Sequence, residues 1–165
     1  MGSQCRSNTP APNAIATSYV ISYCSSVRLV LDTDVVVAAI RSPTGASAEL
    51  LRRASQGHAT LLLNVALAIE YEAVCCRDEH RLAARLDMME MRIYIDAVIA
   101  MSVPTPSRFR WRPQLRDPGD ELVLEAAVNG MADAIVTFNR RDFAAAANFG
   151  IPVFLPGEIL RRLAA

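Results

Sequence analysis

The chain has 165 residues, 52% of them hydrophobic, with a mean hydropathy of +0.22. That suffices for one domain with its own core, and no apolar run approaches the ~20 residues of a membrane span. Acids and bases balance at 17 each, which argues against a broad, sequence-independent grip on duplex nucleic acid.

Every base is Arg, because the chain has no Lys. Any reaction step that needs a Lys is therefore excluded. Cys5, Cys24, Cys75 and Cys76 match no C-x-x-C zinc spacing, and His58 and His80 are too few and too scattered for a zinc site. A reduced, cytoplasmic protein is the simplest expectation.

Residues 1–26 carry Ser, Asn, Thr and Pro without a sustained period and read as a flexible N-terminal arm. As a secretory signal the segment is poor: Arg6 is the only early cation, and the apolar stretch is interrupted at Thr17, Ser18 and Tyr19. A translation start near Val27 would also account for it. A peptide from this segment in mass spectra of the native protein would exclude that start.

From Val27 the pattern alternates between strands and helices. Val27–Leu31 is a short apolar run ending at Asp32 and reads as a buried strand. Residues 35–40 could extend it, but Thr33 and Asp34 resemble a helix start. Pro43 and Gly45 mark a turn. Ala46–Ser55 reads as a helix closed by Gly57, and Ala59–Leu63 as a second strand.

Residues 64–76 read as a helix with Leu63, Leu67, Glu70 and Val74 on one stripe. Helical patterns follow over residues 78–86 and Met88–Ala100. Met88, Met89 and Met91 there suit either the core or a dimer surface. A third strand falls at residues 101–103, ended by Pro104 and Pro106.

Residues 107–118 form an Arg-rich loop. Residues 119–129 read as a helix with Leu122, Val123, Ala126, Ala127 and Gly130 inward. Strands at residues 134–137 and 152–155 and a terminal helix at residues 158–163 complete the chain. Such alternation predicts an α/β fold with a parallel sheet of about five strands sandwiched by helices. Sites in open sheets of this kind lie at the carboxyl ends of the strands.

That rule selects the polar residues. Asp32 follows the first strand directly; a helix cap is its ordinary alternative, but Thr33 and Asp34 can do that job. Glu70 shares a stripe with core residues, where an unpaired carboxylate is costly. Asp117 and Asp120 bracket Pro118-Gly119; D-P-G is a turn signal, and Asp120 suits the cap of the next helix, although it also shares a face with apolar Val123, Leu124 and Ala127. Thr137 and Asn139 follow the fourth strand, with Asp142 three residues on. Crowded acids repel one another and raise some of their pKa values. A hard dication such as Mg²⁺ or Mn²⁺ relieves that repulsion and prefers oxygen ligands.

These residues resemble the PIN-domain family, in particular its bacterial toxin-like branch. The matching segments are Leu29-Val30-Leu31-Asp32-Thr33-Asp34-Val35, Glu70-Tyr71, Arg116-Asp117-Pro118-Gly119-Asp120, and the run from Ala132 to Phe143. The resemblance implies a PIN-like fold over residues 27–165. It implies a metal-dependent ribonuclease cutting single-stranded RNA, often the toxin of a toxin–antitoxin pair with a small antitoxin partner. It further implies Asp32, Glu70 and Asp120 as metal-binding acids, with Mg²⁺ or Mn²⁺ as cofactor.

Two positions depart from the family pattern. The fourth acidic place holds Asn139, so either Asn139 or Asp142 completes the metal set. Asp34 stands where such proteins usually carry Asn. Thr137 and Asp117 are supporting candidates.

Arg108, Arg110, Arg112 and Arg116 interleave with Phe109 and Trp111, a pattern suited to phosphates and unpaired bases. The same pattern also suits a loop anchored by its aromatics. Two rival readings remain. One is a catalytically inactive PIN module that binds RNA or protein. The other is a haloacid-dehalogenase-type phosphatase with Asp32 as nucleophile and Asp34 as acid/base. That second family usually needs a Lys.

Overall fold

The computed structural model describes residues 26–108 and 112–164. The N-terminal arm up to residue 25, together with Phe109, Arg110 and Trp111, lies outside the described residues.

Five parallel strands form one sheet: β1 (Val27–Leu31), β2 (Ala59–Leu63), β3 (Ser102–Pro104), β4 (Ala134–Val136) and β5 (Val153–Phe154). Their spatial order is β3-β2-β1-β4-β5. The chain winds outward from β1 in one direction, then returns to β4 and winds the other way. The order therefore reverses between β1 and β4, and Leu31 pairs with Val136 at their carboxyl ends. This switch point is where an open α/β sheet leaves a crevice.

Leu29, Val30 and Leu31 in β1 and all three residues of β4 are buried. Continuous apolar strands of this kind are what covering helices on both faces require. The helices are α1 (Thr33–Arg41), α2 (Ala46–Ser55), α3 (Val65–Cys75), α4 (Asp78–Ala84), α5 (Met88–Ala100), α6 (Pro118–Asn129) and α7 (Pro156–Leu163). A short 3₁₀ helix, Ala144–Phe149, lies between β4 and β5 and has no counterpart in the sequence reading.

Residues 35–40 resolve to helix rather than to an extension of β1. Three consecutive valines favour a strand by propensity alone. Burial of Val35, Val36 and Val37 in the core overrides that preference. α2 ends as expected, with Gly57 at φ 81°, a conformation costly for other residues. Asn64 caps α3 by accepting the Leu67 N–H at 2.8 Å.

Two tyrosines pin helices to their neighbours. The Tyr71 hydroxyl donates to the Leu31 carbonyl, and the Tyr94 hydroxyl donates to the Val36 carbonyl at 2.8 Å. The first bond ties α3 to the end of β1 one residue away from Glu70. Of the three methionines considered for a dimer surface, Met91 is core, whereas Met88 and Met89 are exposed.

The inner face of α6 differs from expectation in one respect. Val123, Ala126, Ala127 and Gly130 face inward as predicted, and Leu122 is half-buried. Glu121 and Glu125, which the apolar pattern passed over, are only 4% and 5% exposed. Each is satisfied by the preceding loop. Glu121 accepts the backbone N–H groups of Gln114 and Leu115. Glu125 takes a two-point ion pair from Arg112, at 2.7 and 2.9 Å. These two acids fasten the Arg-rich loop to the body.

Gly130 ends α6 where the helix meets the sheet. A Cβ there would stand 2.7 Å from Thr105 Cγ2 and 3.0 Å from Leu62 Cδ1. Gly130→Ala is therefore expected to destabilise the protein by about 1–3 kcal/mol, the usual range for overpacking. Urea unfolding measures this, and an unchanged midpoint would contradict the close approach. Arg112→Ala, which strands the buried Glu125 carboxylate, is expected to cost about 2 kcal/mol in the same assay.

Candidate active site

β1 delivers Asp32 to the switch point, and β4 delivers Thr137 opposite it. Asp32 holds the N-cap position of α1, yet its carboxylate makes no capping hydrogen bond. The Thr137 hydroxyl donates instead to Asp32 Oδ2 at 2.6 Å. Thr137 in turn accepts the Asn139 N–H at 2.9 Å. Thr137 is fully buried and Asp32 is 8% exposed, so this bridge sits in a low-dielectric setting.

Asp34 lies one residue into α1. Its Oδ2 accepts the Phe138 N–H at 3.0 Å, while Oδ1 is buried without a hydrogen-bond partner. Burial, then the Asp32 charge, push its pKa up to about 6. Burial likewise raises the Asp32 pKa, against the Thr137 hydrogen bond that favours its charged form.

α6 delivers the next acids. Asp117, not the expected Asp120, is its N-cap, accepting the Gly119 N–H at 2.7 Å, because α6 begins at Pro118, before Asp120; Asp120 is left free of the capping role. Asp120 is half-buried. Burial raises its pKa to about 7, helped by the charges of Asp32, Asp117, Asp142 and Asp34 in that order. The start of α6 lies beside Glu70: a Cβ on Gly119 would stand 3.7 Å from Glu70 Oε1, an ordinary contact, and 3.1 Å from Asp117 Oδ1.

Asn139 and Asp142 are joined: the Asn139 amide donates to Asp142 Oδ2. Asp142 thus carries the charge felt at Asp120, and Asn139 orients it.

Asp32, Asp34, Glu70, Asp117 and Asp120 line one hollow of about 670 Å³. The sequence-predicted acids are therefore brought together, with Asp142 beyond Asp120. Arg41 and Arg77, which the sequence reading did not single out, line the same hollow. On α1, Asp34, Val37, Ala38 and Arg41 face it at helical i, i+3, i+4, i+7 spacing. On α3, Glu70 and Val74 do the same, with Arg77 just past the helix end. That repeated acid-to-arginine interval was the available signal.

The loop candidates separate. Arg112 pairs with the buried Glu125, which gives it a structural role. Arg108 lines a different hollow at the C-terminal end of α6, the far end of that helix from Asp120. Arg116 lines a hollow of about 520 Å³ with Arg141 and Asp142. Arg110 and Trp111 lie outside the described residues.

The clustered acids have a thermodynamic signature. Asp120 binds its proton more tightly when folded than the ordinary value of 3.8 allows when unfolded. The folded state then holds the extra proton between those values, so this group's contribution to stability falls as pH rises toward about 7. Without added metal, Asp120→Asn is expected to raise the melting temperature relative to wild type, more near neutral pH than at pH ~5. An equal or opposite shift at the two pH values would contradict the cluster.

Compared with known families, residues 28–141 match the PIN domain. A search of curated proteins finds no significant relative. Among the described residues no helix is long and apolar enough to cross a membrane. The match spans more than half of the chain and contains its first four strands and the carboxylates around Asp32, and with it the protein belongs to the PIN-domain family, whose fold carries nuclease-type chemistry.

Proposed function

We propose that the protein is a Mg²⁺- or Mn²⁺-dependent endoribonuclease that hydrolyses single-stranded RNA, acting in the cytoplasm as the toxin of a toxin–antitoxin pair. The observation that carries this reading is the convergence of Asp32, Asp34, Glu70 and Asp120 on one open hollow at the sheet's switch point.

The donors suit a hard dication. All are carboxylate oxygens, and Asp34 Oδ1 is buried with no partner. Among the described residues no three acidic, His or Cys side chains already stand as a coordination group. Asp32, Glu70 and Asp120 are the residues to hold it, with Asp142 supporting and Asn139 orienting Asp142.

Bound there, such an ion supplies charge neutralisation at the phosphodiester oxygens and acidifies an attacking water. The chain's own residues do the rest. Thr137 fixes the Asp32 carboxylate, so its orientation is set before substrate arrives. The Phe138 N–H holds Asp34 beside it. Tyr71 anchors the helix that carries Glu70. The phosphatase reading lacks its Lys and has lost its footing to the family match.

Purified protein with Mg²⁺ or Mn²⁺ is expected to cut unstructured RNA to 5′-phosphate and 3′-hydroxyl products. Asp32→Asn and EDTA are each expected to abolish cleavage, and Thr137→Val to lower kcat by ten- to a hundredfold, the scale seen when a residue supporting a metal ligand is lost. Undiminished cleavage by Asp32→Asn or in EDTA would falsify the metal-acid mechanism. Tight RNA binding without cleavage at millimolar metal would instead assign the chain to the inactive PIN modules.

A further inference from the structure

The acids account for one end of the main hollow only. Arg41 and Arg77 line the same hollow, and both side chains are exposed. Arg41 lies seven residues beyond Asp34, and Arg77 seven beyond Glu70. At ~1.5 Å rise per residue, Arg41 stands on the order of 10 Å along α1 from Asp34, and Arg77 follows the end of α3. Neither makes an ion pair with a described acid, unlike Arg52, Arg53, Arg81, Arg112 and Arg140.

A second arginine pair belongs to a different hollow. Arg116 and Arg141 line the neighbouring hollow with Asp142. The two hollows share no lining residue, and Arg116 and Arg141 adjoin Asp117 and Asp142 in the chain. Here too neither guanidinium is paired with a described acid, whereas the adjacent Arg140 is taken by Glu158. Arg41 and Arg77 thus share the hollow of the carboxylates, and Arg116 and Arg141 share a second one with Asp142, none of the four in an ion pair with a described acid. A net charge of zero conceals this arrangement.

We propose that Arg41 with Arg77, and Arg116 with Arg141, hold backbone phosphates of a single RNA strand on the two sides of the acidic centre, so that the bond cut is internal. This rests on the ribonuclease reading. Guanidinium groups suit phosphate oxygens, and they are weakly hydrated compared with ammonium. Placing cations away from the acids lets an anionic strand cross a negatively charged centre that would otherwise repel it. A substrate with phosphates on one side only would lose half of its hold.

The test is RNA binding by the full chain in the Asp32→Asn background with Mg²⁺, read by fluorescence anisotropy of an oligouridylate across a salt series. For single strands the log-log salt slope falls by ~0.7 per phosphate contact removed. Arg41→Gln with Arg77→Gln should flatten the slope by about 1.4, and Arg116→Gln with Arg141→Gln by a similar amount. Arg92→Gln with Arg161→Gln, exposed residues lining neither hollow, should leave it unchanged. With wild-type protein, a dinucleotide should be hydrolysed far more slowly than the longer strand.

A slope moved by only one pair, or no more than by the control pair, would overturn the proposal. So would an absence of RNA binding, or efficient dinucleotide hydrolysis. If both pairs carry binding but wild type cleaves nothing, the clamp stands and the ribonuclease reading fails. If wild type cleaves RNA while neither pair matters, the reverse holds. Loss of binding to an acidic protein partner with RNA binding intact would make these arginines a protein interface and overturn the proposal.

Discussion

A short hydrogen bond between two adjacent strands organises the site. Thr137 at the end of β4 donates to Asp32 at the end of β1, inside a crevice that the strand order itself creates. Burial opposes charge on Asp32, and the Thr137 hydroxyl partly offsets that opposition. The other acids are arranged around this fixed point. Asp34 is held by the Phe138 N–H, Glu70 by the helix that Tyr71 anchors, and Asp120 by a helix whose cap is supplied by another residue. The fold therefore buries carboxylates close together, and the raised pKa values of Asp34 and Asp120 reflect that burial first and the neighbouring charges second.

The cost is localised where the strands end and is carried by a core that contains none of it. β1 and β4 are apolar throughout their buried lengths, and α6 is held to the sheet by a close approach at Gly130. Glu121 and Glu125 show the contrasting use of buried acids. They are satisfied by backbone N–H groups and by Arg112, and they secure the loop leading into α6. The cleft carboxylates are left open to the hollow. Buried acids with partners build the scaffold here, and acids without enough partners mark the site.

Much of this was legible in the sequence because it depends on local signals. Apolar runs ending in a polar residue located β1 and β4 and therefore Asp32 and Thr137. The stripe through Leu67, Glu70 and Val74 located Glu70. The valine run after Asp34 was legible only as a choice: Thr33 and Asp34 marked a helix start, the valines favoured a strand, and burial in the core decides for helix. Two features were not legible. The 3₁₀ helix before β5 lacks an apolar period. Glu121 and Glu125 break the apolar pattern of α6, and their burial depends on a loop folding back over them. The placement of Arg108 and Arg112 was not legible for the same reason: loop position relative to the site is set by tertiary contacts rather than by spacing.

The claim that the clustered acids await a hard dication is tested most directly by calorimetric titration of Mn²⁺ into the metal-free protein. Running it near pH 6.5 in two buffers of different ionisation enthalpy also reads the proton balance, because raised carboxyl pKa values require metal binding to release protons. The account predicts saturable binding with net proton release, lost in Asp32→Asn. Absence of heat at millimolar Mn²⁺, or binding that Asp32→Asn leaves intact, would contradict it.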